Sequence, residues 1–302
     1  MMGICEGRVV IVTGAGRGIG REHALAFARA GAKVVVNDLG VSRDGAEAEG
    51  TPAEQVAAEI RAMGGEAIAD GADVADFEQT GQTLARTLDA FGRVDVVVNN
   101  AGFLRDRMFV STEESQWDAV IRVHLKGHFC LARHVAAHWR GRVKAGEAVD
   151  ARIINTSSGA GLLGSVAQGA YSAAKGGIAA LTLVQSAELG RYGITANAIA
   201  PAARTRMTEG LFGGMMDRPA DGFDAMDPAN ISPLVVWLAS SASAAVTGRV
   251  FEVAGGEISL ADGWRKGVSV DRGARWQPEE IGAAVDDLLA RAVPPAKVYG
   301  AR

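Results

Sequence analysis

Cysteine and long apolar runs are scarce in this chain, and each shortage excludes a class of protein. Only two cysteines, Cys5 and Cys130, occur among 302 residues, too few and too widely spaced for a disulfide framework or a cysteine metal site. No apolar run reaches about 18 residues, so we expect no transmembrane helix. The opening stretch MMGICEGRVVIVTG has no separate charged segment and no cleavage-like site, which is typical of a strand and not of a signal peptide. We therefore expect a cytoplasmic protein without a bound metal.

The sequence contains no long run of residues that carry charge of a single sign. The formal net charge is −4 and the pI is about 5.8. No basic run interleaved with aromatic residues is present, so we expect no nucleic-acid partner and no membrane partner. Hydrophobic residues make up 48% of the chain, which is enough for one large core.

Short apolar, β-branched runs alternate with longer segments of helical periodicity. Runs without polar alternation, joined by helices of about ten or more residues, indicate a parallel sheet covered on both faces. The sequence therefore predicts an α/β fold, a doubly wound, seven-stranded parallel sheet in one domain. The predicted strands are 8–13, 33–37, 66–70, 94–99, 151–157, 194–200 and 248–254. The predicted helices are 19–30, 52–63, 76–90, 112–138, about 170–190 and 231–240, and long loops are expected at 39–51 and 202–227.

A glycine-rich segment, TGAGRGIG, follows the first predicted strand. Glycines there permit a tight turn and a close approach of the backbone to a pyrophosphate, and the next helix directs its N-terminus at the phosphates. The spacing GxxxGxG differs from the general GxGxxG fingerprint, so its place between a strand and a helix is the stronger argument. The residues predicted to bind a dinucleotide here are Gly14, Gly16, Arg17, Gly18, Ile19 and Gly20.

Asp38 stands at the end of the second predicted strand, twenty residues after Gly18. A carboxylate at that place accepts hydrogen bonds from the ribose hydroxyls of adenosine and repels a 2′-phosphate, which favours NAD over NADP. Arg17 argues the other way, since it could pair with that phosphate, and Asp38 could also be an ordinary turn residue. The further cofactor contacts expected at the carboxyl edge of the sheet are Asp73, Val74, Asn100, Ala101 and Gly102.

Tyr171 and Lys175 stand four residues apart in AYSAAKGGIAALTLV, so a helix brings them to one face. If the pair stood alone, a solvated lysine and a half-buried tyrosine would explain it. Oxidation of an alcohol needs a base, and a free tyrosine with a pKa of about 10 is a poor one at neutral pH. A neighbouring ammonium, together with a positive nicotinamide, favours the phenolate and lowers that pKa.

These segments together resemble the short-chain dehydrogenase/reductase family over residues 5–256. The resemblance rests on the ordered motifs TGxxxGxG, NNAG and YxxxK, with Ser158 thirteen residues before Tyr171. It implies a Rossmann-like sheet, hydride transfer with a nicotinamide cofactor, and a homodimer or homotetramer. It also implies that Ser158 hydrogen-bonds the reacting oxygen, in preference to Ser157. The cofactor contacts that the resemblance adds are Tyr171, Lys175, Pro201 and Thr205.

Two positions depart from the family pattern. Where a helix asparagine often completes a catalytic tetrad in a stretch such as VNLKG, this chain has VHLKG with His124. His124 is either a packed core residue or the anchor of a water chain to Lys175, and the sequence leaves both open. Ala202 follows Pro201 where a glycine is common, and alanine lacks the conformational freedom of glycine.

Within the family, a second set of segments points to a branch. VVVNDLG, NNAGFLRDRMF, WDAVIRVHLKGHF, APAARTRMTE and PLVVWLAS resemble the dehydrogenase part of the type 2 peroxisomal multifunctional enzymes, which is related to 17β-hydroxysteroid dehydrogenases. This resemblance implies NAD-dependent oxidation of a 3-hydroxyacyl-CoA thioester. The alternatives are a hydroxysteroid or other secondary-alcohol dehydrogenase, and a catalytically silent scaffold, which the intact Ser158, Tyr171 and Lys175 disfavour.

A tail of residues 257–302 follows the last predicted strand. It contains Trp264, Trp276 and a segment of helical periodicity, 278–291. The apolar residues Ile281, Val285, Leu288 and Leu289 recur at helical spacing and form one stripe that needs a partner. We expect this extension to pack at the substrate cavity or at a subunit interface.

Overall fold

A computed structural model describes residues 3–40, 51–205 and 217–301. The two gaps fall within the predicted loops 39–51 and 202–227, so most of what the sequence suggests there lies outside the described residues. The strands are β1 Val9–Thr13, β2 Lys33–Asn37, β3 Ala67–Asp70, β4 Val96–Asn99, β5 Ala151–Thr156, β6 Ile194–Ala202, β7 Val250–Ala254 and β8 Glu257–Ala261. The α-helices are α1 Gly18–Arg29, α2 Pro52–Ala62, α3 Phe77–Phe91, α4 Glu114–Ile121, α5 Gly127–Lys144, α6 Gly159–Leu163, α7 Gly169–Leu189, α8 Ser232–Ala239 and α9 Pro278–Arg291.

The strands form one sheet in the order β3-β2-β1-β4-β5-β6-β7-β8. The predicted doubly wound, Rossmann-like sheet is confirmed, and its first seven strands pair in parallel. The prediction of seven strands is wrong by one, because β8 pairs with β7 in antiparallel register. Gly255 and Gly256 connect the two strands, and Gly255 has a φ of +53°, a conformation that tight hairpin turns favour.

Helices cover both faces of the sheet. Side chains alternate along β1, so Val10 and Val12 lie in one apolar cluster while Ile11 lies in another. Residues of α1, α2 and α8 complete the first cluster, and residues of α5 such as Trp139 complete the second. All five residues of β1 are buried, which explains why the strand is a continuous apolar run in the sequence.

The long helix predicted over 112–138 is a composite. It begins as α4 at Glu114, passes through a π-helical segment, Arg122–Lys126, and continues as α5 to Lys144. A π segment inserts an extra residue into the helical turn and often marks a functional site. His124 lies within this segment and is fully buried.

The sheet order reverses direction between β1 and β4, and the loops at the carboxyl ends of these strands diverge there. Open α/β sheets bind ligands in the crevice at such a point. Among the residues that the structure describes, no helix combines the length and the apolar character that crossing a membrane requires.

Candidate active site

A cavity of about 630 Å³ lies at the carboxyl edge of the sheet. Nearly all of the residues predicted for the site line it. From the cofactor set these are Gly14, Arg17, Gly18, Ile19, Gly20, Asp38, Asp73, Val74, Asn100, Ala101, Gly102, Pro201 and Thr205. From the catalytic set they are His124, Ser158, Tyr171 and Lys175. Gly16 is not part of this lining, and its N–H instead donates to Asp38 Oδ2 over 2.9 Å.

The glycine loop has no room for a side chain at Gly14 or at Gly20. A Cβ atom on Gly20 would lie 2.1 Å from the carbonyl oxygen of Gly14, and one on Gly14 would lie 2.7 Å from the Cα of Ala101. Gly14 also has a φ of +62°, which favours glycine. At Gly14, Gly18 and Gly20 the loop and the first turn of α1 therefore present bare backbone to the cavity, as the binding of a dinucleotide pyrophosphate requires.

Asp38 follows the last residue of β2 and lines the same cavity. Its Oδ2 accepts the Gly16 N–H, and its Oδ1 accepts the Gly40 N–H over 2.8 Å. Asp38 therefore holds the turn after β2 and the glycine loop in place, which is the structural role that the sequence left open for it. An ionised carboxylate has about four acceptor sites, so two backbone bonds leave capacity for ribose hydroxyls.

The neighbouring loops are held by their own side chains. Asp73 Oδ2 pairs with Arg122 over 2.5 Å, and Asp73 Oδ1 accepts the Ala75 N–H. The Asn100 amide donates to the carbonyl oxygen of Thr13 over 3.0 Å. The cavity walls beside β1, β3 and β4 are thus preorganised by hydrogen bonds and an ion pair within the chain.

The structure brings Ser158, Tyr171 and Lys175 together. Ser158 precedes α6 and hydrogen-bonds the Tyr171 phenol, while Tyr171 and Lys175 lie one turn apart on α7. Lys175 Nζ lies 5.6 Å from the centroid of the Tyr171 ring. The Lys175 side chain is buried, so the alternative of a solvated lysine is wrong. The Ser157 hydroxyl donates to the Lys175 carbonyl oxygen over 2.8 Å, which occupies it in packing.

Burial governs the protonation of the pair. It raises the pKa of the Tyr171 phenol, whereas the hydrogen bond from Ser158 lowers it. Burial also lowers the pKa of Lys175 to about 7. The protein's own residues therefore do not bring the pKa of the phenol below its ordinary value.

His124 contacts the backbone at the end of the NNAG segment. Its Nε2 lies 2.8 Å from the Phe103 carbonyl oxygen and 3.1 Å from the Phe103 nitrogen. Its ring meets the Tyr171 ring edge-on at 5.2 Å between centroids. A Cβ on Gly102 would lie 2.3 Å from His124 Cε1, so only glycine fits there. Burial lowers the pKa of His124 to about 3, which makes the imidazole neutral at physiological pH.

Sequence reasoning missed three features of the cavity. The Thr156 carbonyl oxygen accepts a hydrogen bond from Lys175 Nζ, and Gln168 Nε2 donates to Asp106 Oδ1 over 3.0 Å. Tyr299, near the end of the chain, also lines the cavity. The sequence offers no motif or periodicity that would have singled out Tyr299, because its neighbours in the cavity are distant along the chain.

This arrangement of a glycine loop, a Ser–Tyr–Lys group and a parallel sheet agrees with a comparison against protein families. The chain matches the family model described as short chain dehydrogenase over residues 8–213. It belongs to the short-chain dehydrogenase family. The resemblance drawn from the sequence is thereby confirmed, and the protein is an oxidoreductase of a family that uses nicotinamide cofactors.

Individual relatives of this short-chain dehydrogenase agree with that assignment. It is 43% identical over 289 residues to a Mycobacterium tuberculosis protein named Hydroxyacyl-CoA dehydrogenase ChsB1, covering 94% of this chain and 89% of that protein. It is 44% identical over 254 residues to the mouse Peroxisomal multifunctional enzyme type 2, covering 84% of this chain but 32% of that longer protein. A crystal structure of a short chain dehydrogenase from Mycobacterium avium matches with a TM-score of 0.90 and 61% identity, covering 99% of this chain and 100% of that one.

Proposed function

We propose that this short-chain dehydrogenase oxidises 3-hydroxyacyl-CoA thioesters to 3-ketoacyl-CoA with NAD as the hydride acceptor. The observation that carries the proposal is the Ser158–Tyr171–Lys175 group at the cavity, in a chain 43% identical over nearly its whole length to a protein named hydroxyacyl-CoA dehydrogenase.

The chemistry needs a base, a donor to the reacting oxygen and a bound hydride acceptor. Tyr171 takes the proton of the substrate hydroxyl, and the electron pair of that O–H bond forms the second C–O bond as the hydride leaves the same carbon with the electrons of the C–H bond. Ser158 hydrogen-bonds that oxygen and stabilises its developing charge. A nicotinamide cofactor held along the glycine loop would supply the hydride acceptor. Lys175 is buried beside the phenol, where its ammonium form favours the phenolate.

The residues around the glycine loop support NAD rather than NADP. Asp38 lies beside the loop, where its carboxylate accepts the N–H of Gly16 in the glycine loop and the N–H of Gly40 just after β2. A 2′-phosphate on the adenosine ribose would approach this negative charge and be repelled by it. Arg17 also lines the cavity and would favour a phosphate, but it lacks the position at the end of β2 that Asp38 has.

The substrate side of the cavity supports an apolar chain with a few polar contacts. Phe103, Leu104 and Ala160 contribute apolar surface, while Ser165 and Tyr299 contribute hydroxyl groups. The Arg204 guanidinium binds Asp224, and Arg206 lies outside the described residues, so neither arginine supports binding of the CoA phosphates.

The experiment measures NADH formation with purified protein, NAD and a panel of 3-hydroxyacyl-CoA thioesters and hydroxysteroids. We expect kcat/KM for at least one thioester to exceed that for every hydroxysteroid by tenfold or more, about 1.4 kcal/mol in transition-state binding. A free 3-hydroxy acid of the same chain length is the matched control for the thioester group. Oxidation of hydroxysteroids alone would replace the proposed substrate with a non-thioester alcohol.

A further inference from the structure

Near the end of the chain, Tyr299 lies at the active-site cavity and pairs through its backbone with a loop there. Tyr299 forms a parallel bridge with Ser165, in which its N–H donates to the Gly164 carbonyl oxygen over 3.2 Å and its carbonyl oxygen accepts the Val166 N–H over 2.9 Å. The segment 164–168 that receives it leads directly into α7, the helix of Tyr171 and Lys175. The tail is thus attached by main-chain bonds to the loop that precedes the catalytic helix.

The loop of residues 164–168, which pairs with Tyr299, also forms a backbone hydrogen bond to a second segment. The Arg107 N–H donates to the Ala167 carbonyl oxygen over 2.7 Å. Ala167 has a φ of +63°, the only positive φ at a non-glycine residue in the described ranges. An alanine in this region of conformational space is strained by about 1–2 kcal/mol, so bonds on both sides are needed to hold the loop in this shape.

The Tyr299 ring occupies the space that a side chain at position 159 would fill. A Cβ on Gly159 would lie 2.9 Å from the Tyr299 hydroxyl oxygen and 3.0 Å from its Cε2. Gly159 is the residue after Ser158, so the phenol of Tyr299 lies beside the residue that holds the reacting oxygen. Tyr299 as a whole residue is 47% exposed, and it lines the cavity.

We propose that Tyr299 is a specificity-determining residue that donates a hydrogen bond to the thioester carbonyl oxygen of the substrate. This inference rests on the proposed function. A 3-hydroxyacyl thioester has two oxygens on alternate carbons, the reacting hydroxyl and the thioester carbonyl. Ser158 and Tyr299 present two hydroxyl groups from neighbouring positions on the same wall of the cavity. In this arrangement the phenol O–H fixes which way the acyl chain runs.

The first experiment compares Tyr299→Phe with the wild-type enzyme on two substrates, a 3-hydroxyacyl-CoA and a secondary alcohol without a neighbouring carbonyl. We expect the variant to lose about three- to tenfold in kcat/KM for the thioester, the effect of one hydrogen bond, and less than about twofold for the simple alcohol. The Kd for NAD should not change. An equal loss on both substrates, or no loss on either, would overturn the carbonyl assignment.

A second experiment separates contact with the substrate from support of the loop. Tyr299→Ala keeps the main-chain bonds to Gly164 and Val166, while Gly159→Ala leaves Tyr299 unaltered but displaces its ring. We expect each single variant to raise KM for the thioester by about fivefold or more, and the double variant to cost no more than the larger single effect. Val298→Ala, which loosens the packing of the tail on Gly164, is the matched control and should change KM by less than about twofold.

Additive losses in the double variant would overturn the inference, because Gly159 and Tyr299 would then act independently. If the wild-type enzyme oxidises a different secondary alcohol and no thioester, the proposed substrate and the carbonyl contact both fail. The coupling between positions 159 and 299 must still appear with that alcohol if the Tyr299 ring forms the substrate wall.

Discussion

Lys175 Nζ donates a hydrogen bond of 2.6 Å to the carbonyl oxygen of Thr156, the last residue of β5. This bond ties the catalytic helix to the carboxyl end of a central strand, and it satisfies one of the three donors of a buried ammonium. The remaining donors are available to groups that enter the cavity. Because burial lowers the pKa of Lys175 to about 7, its charge is sensitive to whatever binds beside it.

Replacement of Asp38 by serine tests the choice of cofactor. Asp38→Ser should weaken NAD binding by about 1.5–3 kcal/mol, the scale of a hydrogen bond to a charged group, and relax the discrimination against NADP because the repulsive carboxylate is removed. Kd values for both cofactors, measured by fluorescence titration, check this. A wild-type enzyme that already prefers NADP would contradict the assignment and direct attention to Arg17.

Ser158 should set the pH profile of oxidation. Since burial raises the pKa of Tyr171 and the Ser158 hydrogen bond lowers it, the free enzyme is deficient in phenolate at neutral pH. We expect kcat/KM for oxidation to rise with pH through the neutral and mildly alkaline range. Ser158→Ala should lower the rate and also displace this rise to higher pH. A profile that keeps its wild-type midpoint in the variant would show that Ser158 does not act on the phenol.

Acid should destabilise the fold in part through His23. This residue of α1 is fully buried with its Nδ1 2.9 Å from Ser232 Oγ, and burial lowers its pKa from 6.5 to about 3. As the pH falls, His23 therefore becomes protonated in the unfolded chain at a higher pH than in the folded protein. The free energy of unfolding falls as the pH drops from about 6.5 towards 3, by up to about 1.4 kcal/mol per pH unit.

His23→Asn removes this titration and can keep the bond to Ser232. Urea unfolding at several pH values between about 7 and 4 should give the variant a shallower acid slope than the wild type. The slope will not vanish, because burial also lowers the pKa values of His124 and His128. Equal slopes would mean that His23 is not neutral in the native state.

Truncation after Asp262 tests the independence of the tail. Beyond β8 no described residue is buried, and three of the four stripe residues of α9 are exposed, with Leu289 at 69%. The shortened chain should therefore keep its free energy of unfolding within about 1 kcal/mol and still bind NAD, while KM for long acyl chains rises more than for short ones. Removal of β8, Glu257–Ala261, as well should lower the free energy of unfolding, because β7 then loses the strand that pairs with it. Unfolding of the 1–262 chain would contradict this division.

The sequence predicted those parts of the fold that depend on residues close together along the chain. β1 and β4 are buried on both faces, so they appear as runs of valine and isoleucine, and the glycine loop and the Tyr171–Lys175 spacing are short-range patterns. β8 was missed because it is an edge strand with four exposed residues and gives no apolar run. The π segment around His124 has no sequence signature of its own. Tyr299 could not be found because its contact with Gly159 depends on where the whole tail runs.

The central claim is that Tyr171 is the base that drives hydride transfer from a 3-hydroxyacyl thioester. The most direct test is the turnover of Tyr171→Phe with NAD and the thioester that serves the wild type best, alongside the Kd of the variant for NAD. Loss of general base catalysis should lower kcat by about 10²- to 10⁴-fold, with little change in the Kd because the phenol adds little to cofactor binding. Turnover above about a tenth of the wild-type value, with a well-folded variant, would contradict the account.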